Sequence, residues 1–339
     1  MSEPLSSSGH LVLPLAPQRA KPTGRRRLWR FARWVLLLGM VFFVALTAAS
    51  FGYNFVTNGP APRPAGLLMA SGGGFDTRYL EWGTTGTPIV LVPGAFETAD
   101  TFGPLGPVLA ARHKVYAIDL TGTGYSAPSP PYDAAHEAAQ LLAFLTAMGL
   151  TGTNAPILVG HSAGAAVAGT AAVEGGSRYA RGVVFLDGDA TALADQPWVL
   201  GYLLVDPYRA SLLRIALSQD WLVRDLYNAQ CGPACPPLTA ASVQTWVLPL
   251  RQPGFAGELQ YLLEHGIPSM TTAQFTELRD LQVPKLVIYG DSDPQMSAAD
   301  ADLTAQRIGA PAPVTVPGRH LTMISSPAQV AAAIDALLA

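Results

Sequence analysis

The chain has 339 residues, 49% of them hydrophobic and 13% charged, where soluble domains usually carry roughly 25% charge. Its formal charge of −3 hides a division: seven of the 21 basic residues fall within residues 1–34 beside a single acid, Glu3, which leaves 14 basic against 23 acidic residues in the remainder. A body of that sign argues against nucleic acid as a partner, because phosphate binding takes clustered Lys and Arg.

Residues 1–33 read as a disordered tail, rich in Ser, Pro and Gly and ending in Arg25, Arg26, Arg27, Arg30 and Arg33. Residues 34–56 are apolar, and no charge falls between Arg33 and Arg63. A helix needs about 20 such residues to cross the hydrocarbon core. Trp29, Trp34 and Tyr53 stand where interfacial aromatics belong. With every arginine before the span, the N-terminus should stay cytoplasmic and the body should be exported. A cleaved secretory signal is the competing reading, since Thr47-Ala48-Ala49 offers small residues at a cleavage site; it would leave the body secreted. A buried core helix is the third reading. Residues 57–66 form a Pro-rich linker.

From residue 67 the pattern changes to alternating strands and helices. An alternating run predicts a strand over 78–82, after a turn at Gly72, Gly73 and Gly74. Short apolar runs of buried type predict strands over 88–92, 115–118, 156–159, 182–186 and 284–289, with a last short one at 314–316. Helices are expected between them, over 100–112, 132–148, 163–174 and 299–308, and after Ser326, which is expected to cap a helix with Pro327 in its first turn. The stretch from about 190 to 280 holds helix-like pieces at 198–205, 208–226, 240–250 and 255–265 and no buried strand. The body, residues 67–339, therefore reads as one α/β domain with a mostly parallel sheet, helices on both faces and a helical insertion. Ligands of such sheets bind at the carboxyl ends of the strands.

The chemistry centres on Gly160-His161-Ser162-Ala163-Gly164, which follows a predicted strand and opens a predicted helix. That setting is a nucleophile elbow, a sharp turn that exposes the serine above the sheet. Gly160 and Gly164 belong to it because the turn crowds the backbone on both sides. A serine hydroxyl needs an adjacent base oriented by a third group. Of the six histidines, His10 precedes the span, and His113 and His136 precede the serine. His161 lies inside the elbow, pointing away from Ser162, and His265 falls in the insertion; only His320 follows the last strand. Asp293 follows the strand at 284–289 in Gly290-Asp291-Ser292-Asp293 and is the expected acid. Asp187 is the alternative, and Asp291 more naturally caps the turn. The backbone N–H of Ala163 and that of Ala95, in Pro93-Gly94-Ala95-Phe96, are the expected donors to an oxyanion.

Cys231 and Cys235 enclose Gly-Pro-Ala. Two cysteines make no structural zinc site. The Gly-Pro turn and an exported location favour a local disulfide, with two free thiols as the alternative.

These motifs resemble the α/β-hydrolase superfamily over residues 67–339. Pro93-Gly94, the run from Asp119 to Ser126, the Ser162 elbow, and Asp293 with His320 match its pattern in order. The resemblance implies an eight-stranded, mostly parallel sheet, a helical cap at about 190–280, and neither metal nor cofactor. The run from Asp119 to Ser126 is then a structural turn beside the site. Two departures stand out: Pro93 replaces the usual histidine before Gly94, and Arg319 replaces the usual glycine before His320, where it should narrow the site or meet an acidic group. The function implied is hydrolysis of an ester or related acyl compound through an acyl-Ser162 intermediate. C–C hydrolysis, perhydrolysis and acyl transfer use the same serine triad, and a non-catalytic binding module is the reading from another class. Trp198, Trp221, Trp246, Tyr202, Tyr208 and Tyr261 in the insertion point to an apolar small-molecule ester, or simply to core packing.

Overall fold

Eight strands account for the apolar runs of the body in the computed structural model, which describes residues 24–57, 59, 61–192 and 205–337. They are β1 (Leu68–Gly72), β2 (Phe75–Trp82), β3 (Pro88–Val92), β4 (Lys114–Ile118), β5 (Ile157–His161), β6 (Gly182–Leu186), β7 (Lys285–Gly290) and β8 (Val314–Val316). They form one sheet in the order β1-β2-β4-β3-β5-β6-β7-β8. β1 and β2 pair antiparallel through the hairpin at Gly73 and Gly74, and β2 meets β4 antiparallel; every other pairing is parallel. β3, β5 and β6 are buried along their whole length, as parallel strands covered on both faces must be. Alternate side chains feed two cores. Val90, Val92 and Leu158 join one face, and Ile89, Leu91 and Val159 the other.

The helices are α1 (Gly24–Thr57), α2 (Leu105–Leu109), α3 (Ala134–Ala147), α4 (Gly164–Gly175), α5 (Tyr208–Leu217), α6 (Asp220–Cys231), α7 (Ala240–Leu250), α8 (Phe255–His265), α9 (Thr272–Asp280), α10 (Ala298–Ile308), α11 (Thr322–Ser325) and α12 (Pro327–Ala336). Asp133 starts α3 by accepting from the His136 N–H at 2.8 Å. Helices α5 to α8 occupy the stretch between β6 and β7. Phe275 and Leu278 of α9 join the main core.

Several expectations need correction. The helix at 100–112 is only α2 plus a 3-10 turn at Ala99–Phe102, because Pro104 and Pro107 each remove a backbone donor. The 208–226 helix is two, broken at Ser218 and Gln219. The hairpin strand β1 and helix α9 were not anticipated. The piece at 198–205 lies outside the described residues except for Val205. Ser326 is the N-cap residue of α12 with Pro327 in the first turn, as expected, but its hydroxyl makes no capping bond and donates instead to the Pro317 carbonyl at 2.5 Å.

The chain divides into two units, Met1–Gly52 and Tyr53–Ala339. The described part of the first is residues 24–52 of helix α1, which starts at Gly24, within the stretch read as disordered, and is long and apolar enough to cross a membrane. Its large apolar side chains are exposed, Trp29 and Leu36 both at 72%. In the second, Cys231 at the end of α6 stands at disulfide distance from Cys235, with Cα atoms 5.8 Å apart.

Candidate active site

Strand β5 delivers the chain to a turn that only a short, crowded backbone can make. Ser162 adopts φ 49, the left-handed region that non-glycine residues avoid. Its N–H donates to the Leu186 carbonyl at 2.9 Å, which ties the turn to β6. A Cβ on Gly160 would run into the Gly164 carbonyl, and one on Gly164 would run into the Pro93 carbonyl. Both positions therefore require glycine. The turn lifts the Ser162 hydroxyl clear of the sheet at the start of α4.

Three side chains remote in sequence meet there. Ser162 Oγ donates to His320 Nε2 at 2.9 Å. His320 Nδ1 lies 2.9 Å from Asp293 Oδ2 and 3.1 Å from Oδ1. An ionised carboxylate only accepts, so the proton sits on Nδ1 and Nε2 is free to take one from the serine. The Asp293 carboxylate is fully buried, and Oδ1 also accepts from the N–H groups of Gln295 and Met296. His320 is held through its own N–H, which donates to the Gln230 carbonyl at 2.9 Å. Ala95 and Ala163 line one pocket beside Ser162. Among the described residues neither of their N–H groups donates to a protein acceptor.

An elbow serine at the end of a central parallel strand, with its histidine after the last strand, is a family arrangement. The sequence profile of the alpha/beta hydrolase family matches residues 89–333. The chain belongs to this family.

Among curated proteins, N-formylmaleamate deformylase of Pseudomonas putida is 36% identical over 107 residues, which are 31% of this chain and 39% of that protein's length. The match thus spans well under half of the relative. Among solved structures, a serine hydrolase involved in carbazole degradation superposes with a TM-score of 0.64 at 22% identity, covering 80% of this chain and 98% of that one. A bacterial membrane phospholipase A gives a TM-score of 0.64 at 19% identity, covering 93% and 98%. At these identities the likeness is one of fold.

Under the serine of this hydrolase lies a buried polar frame that sequence reasoning missed. The His161 ring is fully buried; Nδ1 donates to Glu97 Oε2 at 2.8 Å, and Nε2 donates to the His320 carbonyl at 2.7 Å. Both nitrogens face acceptors, so both carry protons and the ring is a cation. Burial opposes that charge, but Glu97, Asp187 and the His320 carbonyl outweigh it and raise the imidazole to about 9. Glu97 also accepts from the Gly94 N–H at 3.1 Å, so one carboxylate links the loop after β3 to the elbow. The signal was present in sequence as an acid three residues beyond Gly94 and a histidine inside the elbow, but nothing paired them across 64 positions.

Asp187, the alternative acid, does not approach the His320 ring nitrogens within hydrogen-bonding distance. It accepts from the Gly290 N–H at 3.0 Å and from the N–H and hydroxyl of Thr322, and it lies 3.7 Å from His161 Nε2. Burial pushes its carboxyl up to about 7 against the pull of His161 and Thr322. Asp291 accepts from the Gly318 N–H at 3.2 Å and ties the Asp293 loop to the His320 loop. Asp119, fully buried, accepts from Arg78 and from the N–H groups of Ala99 and Tyr125, which fixes the turn that ends at Ser126. Among the described residues Arg319 meets no acid: its guanidinium donates to the Ala229 carbonyl at 3.1 Å. The aromatic side chains of the insertion, among the described residues, do not converge. Trp221 is 61% exposed, Trp246 packs edge-on to Tyr227, and Tyr261 stacks on His265; Trp198 and Tyr202 lie outside the described residues. Among the described residues no group of three His, Cys, Asp or Glu side chains is placed to hold a metal ion.

Proposed function

We propose that the protein hydrolyses a small ester or related acyl compound through an acyl-Ser162 intermediate. The reading rests on one observation, the continuous relay from Ser162 Oγ through His320 to Asp293. Ser162 Oγ attacks the acyl carbonyl as His320 Nε2 takes its proton. The carbonyl electrons move onto oxygen, and the N–H groups of Ala95 and Ala163 stabilise that charge. Collapse expels the alcohol, which receives the proton from His320. Water then repeats the sequence on the acyl-serine, releasing the acid and restoring the serine. Asp293 keeps the proton on Nδ1 and supports the transient imidazolium. Phe96, T-shaped against Phe255 with ring centroids 5.8 Å apart, offers an apolar wall for part of the substrate.

The enzyme works at a membrane in this reading. Residues 34–56 anchor it, residues 57–66 link the anchor to the body, and the basic tail stays cytoplasmic. The helices between β6 and β7 act as a cap over the site. The pair of Cys231 and Cys235 fits an oxidising compartment.

The full chain in detergent, treated with a fluorophosphonate probe, should be labelled at Ser162 alone, and Ser162→Ala should not be labelled. A folded protein that stays unlabelled overturns the reading. Protease added to sealed right-side-out cells should degrade the body and spare the tail; the reverse pattern overturns the topology.

A further inference from the structure

Beside Ser162, the pocket flanked by Ala95 and Ala163 ends at two acids. Glu137 of α3 and Glu258 of α8 both line it, together with Thr123. They come from opposite sides, Glu137 from a helix against the sheet and Glu258 from the helices between β6 and β7. They are only 3% and 4% exposed. Glu258 accepts from the Thr123 hydroxyl. Glu137 Oε2 has no hydrogen-bond partner. Among the described residues no cation pairs with either acid; the charges that act on Glu137 are those of Glu258 and Asp133. The cavity between these groups measures about 10 Å3, the room of one water-sized group. It adjoins the reacting atoms: a Cβ placed on Gly94, which lines the same cavity, would stand 2.9 Å from Ser162 Cβ.

We propose that this cavity seats a primary ammonium carried on the acyl part of the substrate, so that the preferred substrates are small aminoacyl esters. The proposal rests on the reading of Ser162 as nucleophile. An uncompensated buried acid is costly, and it is relieved by a partner that brings both charge and donors. A primary ammonium brings one positive charge and three N–H donors in the volume of a water molecule. Those donors suit Glu137 Oε2, the free lone pairs of Glu258 and the Thr123 oxygen. A guanidinium or a quaternary ammonium exceeds the space, and a carboxylate would be repelled. Two carboxyl groups this close do not both ionise without a cation between them. Burial, with Glu258 nearby, holds Glu137 well above the usual carboxyl range, and burial lifts Glu258 to about 7. An arriving ammonium therefore displaces a proton, and preference for the amine should grow as pH rises through 7.

The test compares kcat/KM of the full-length enzyme for two isosteric pairs: glycine ethyl ester against ethyl propionate, and β-alanine ethyl ester against ethyl butyrate. For at least one pair the amine should be preferred by about tenfold or more, the scale of a charge-assisted hydrogen bond. That ratio should rise with pH while the amine stays protonated, and should fall toward one in Glu137→Gln and in Glu258→Gln. Equal turnover within both pairs overturns the proposal. So does a ratio that both variants leave in place, or a variant that slows amine and neutral ester alike, which would assign the acids to structure. Fluorophosphonate labelling is run in parallel. Labelled Ser162 with no amine preference rejects the ammonium site alone, and unlabelled Ser162 rejects the underlying hydrolase mechanism.

Discussion

His161 holds the backbone of His320: its Nε2 donates to the His320 carbonyl across 2.7 Å, while its other nitrogen is clamped by Glu97. The histidine beside the serine thus positions the histidine that faces it, from beneath and through the main chain.

His161→Phe should keep the ring volume and lose both donors. Near-attack geometry tolerates little displacement, and an error of about 1 Å can cost on the order of a hundredfold. We expect kcat to fall by about that factor with a smaller change in KM. A folded His161→Phe enzyme with wild-type kcat would remove His161 from the positioning role.

The His161 proton also links stability to pH. Its imidazole titrates at 6.5 when unfolded and at about 9 when folded. The folded state binds the extra proton, so this contribution is complete below pH 6.5, declines as pH rises, and is gone above 9. It is on the order of 3 kcal/mol. Glu258, raised from 4.5 to about 7, acts with the same sign in the lower window. Melting temperature measured across pH 6.5 to 9.5 should fall by several degrees in the wild type and lie flatter in His161→Phe. Equal slopes in the two proteins would contradict the imidazolium.

Asp293 and Asp187 separate cleanly. Asp293→Asn should lower kcat by about ten-thousandfold, the cost of the wrong histidine tautomer in serine triads. Asp187→Asn disturbs donors from Gly290 and Thr322 and should cost about 1–3 kcal/mol of stability while leaving most of the fluorophosphonate reactivity. Steady-state kinetics and chemical denaturation on both variants decide. The opposite ranking would make Asp187 the acid.

Arg78 tests the buried ion pairs behind the loop that follows β3. It is 3% exposed and bridges Asp100 at 2.8 Å and Asp119 at 3.1 Å. Arg78→Met leaves the Asp119 charge buried and unpaired, a loss of about 3–5 kcal/mol. Urea unfolding should show it as a lower midpoint; a loss under about 1 kcal/mol would mean that Asp119 takes up a proton instead.

Strands and their order in the chain were readable because buried parallel strands are short apolar runs, and 88–92, 156–159 and 182–186 are unbroken ones. The family was readable because a sharp strand-to-helix turn leaves local marks, Gly160 and Gly164, that steric crowding demands. Helix limits were less readable. Pro104 and Pro107 interrupted the helix expected over 100–112, and β1 is a short edge strand with one buried residue, Ala70, and no alternation to announce it.

The sequence alone determined the fold class, the turn that presents Ser162 and the residue types within reach of it, since all three depend on local backbone sterics and on periodic burial. Only the tertiary structure decided the pairing of His161 with Glu97, the support that Asp187 gives Thr322 and Gly290, and the meeting of Glu137 with Glu258. Each of those joins side chains from separate elements, and the energy that selects them is the cost of leaving a polar group unpaired in a core that does not exist until the chain has folded.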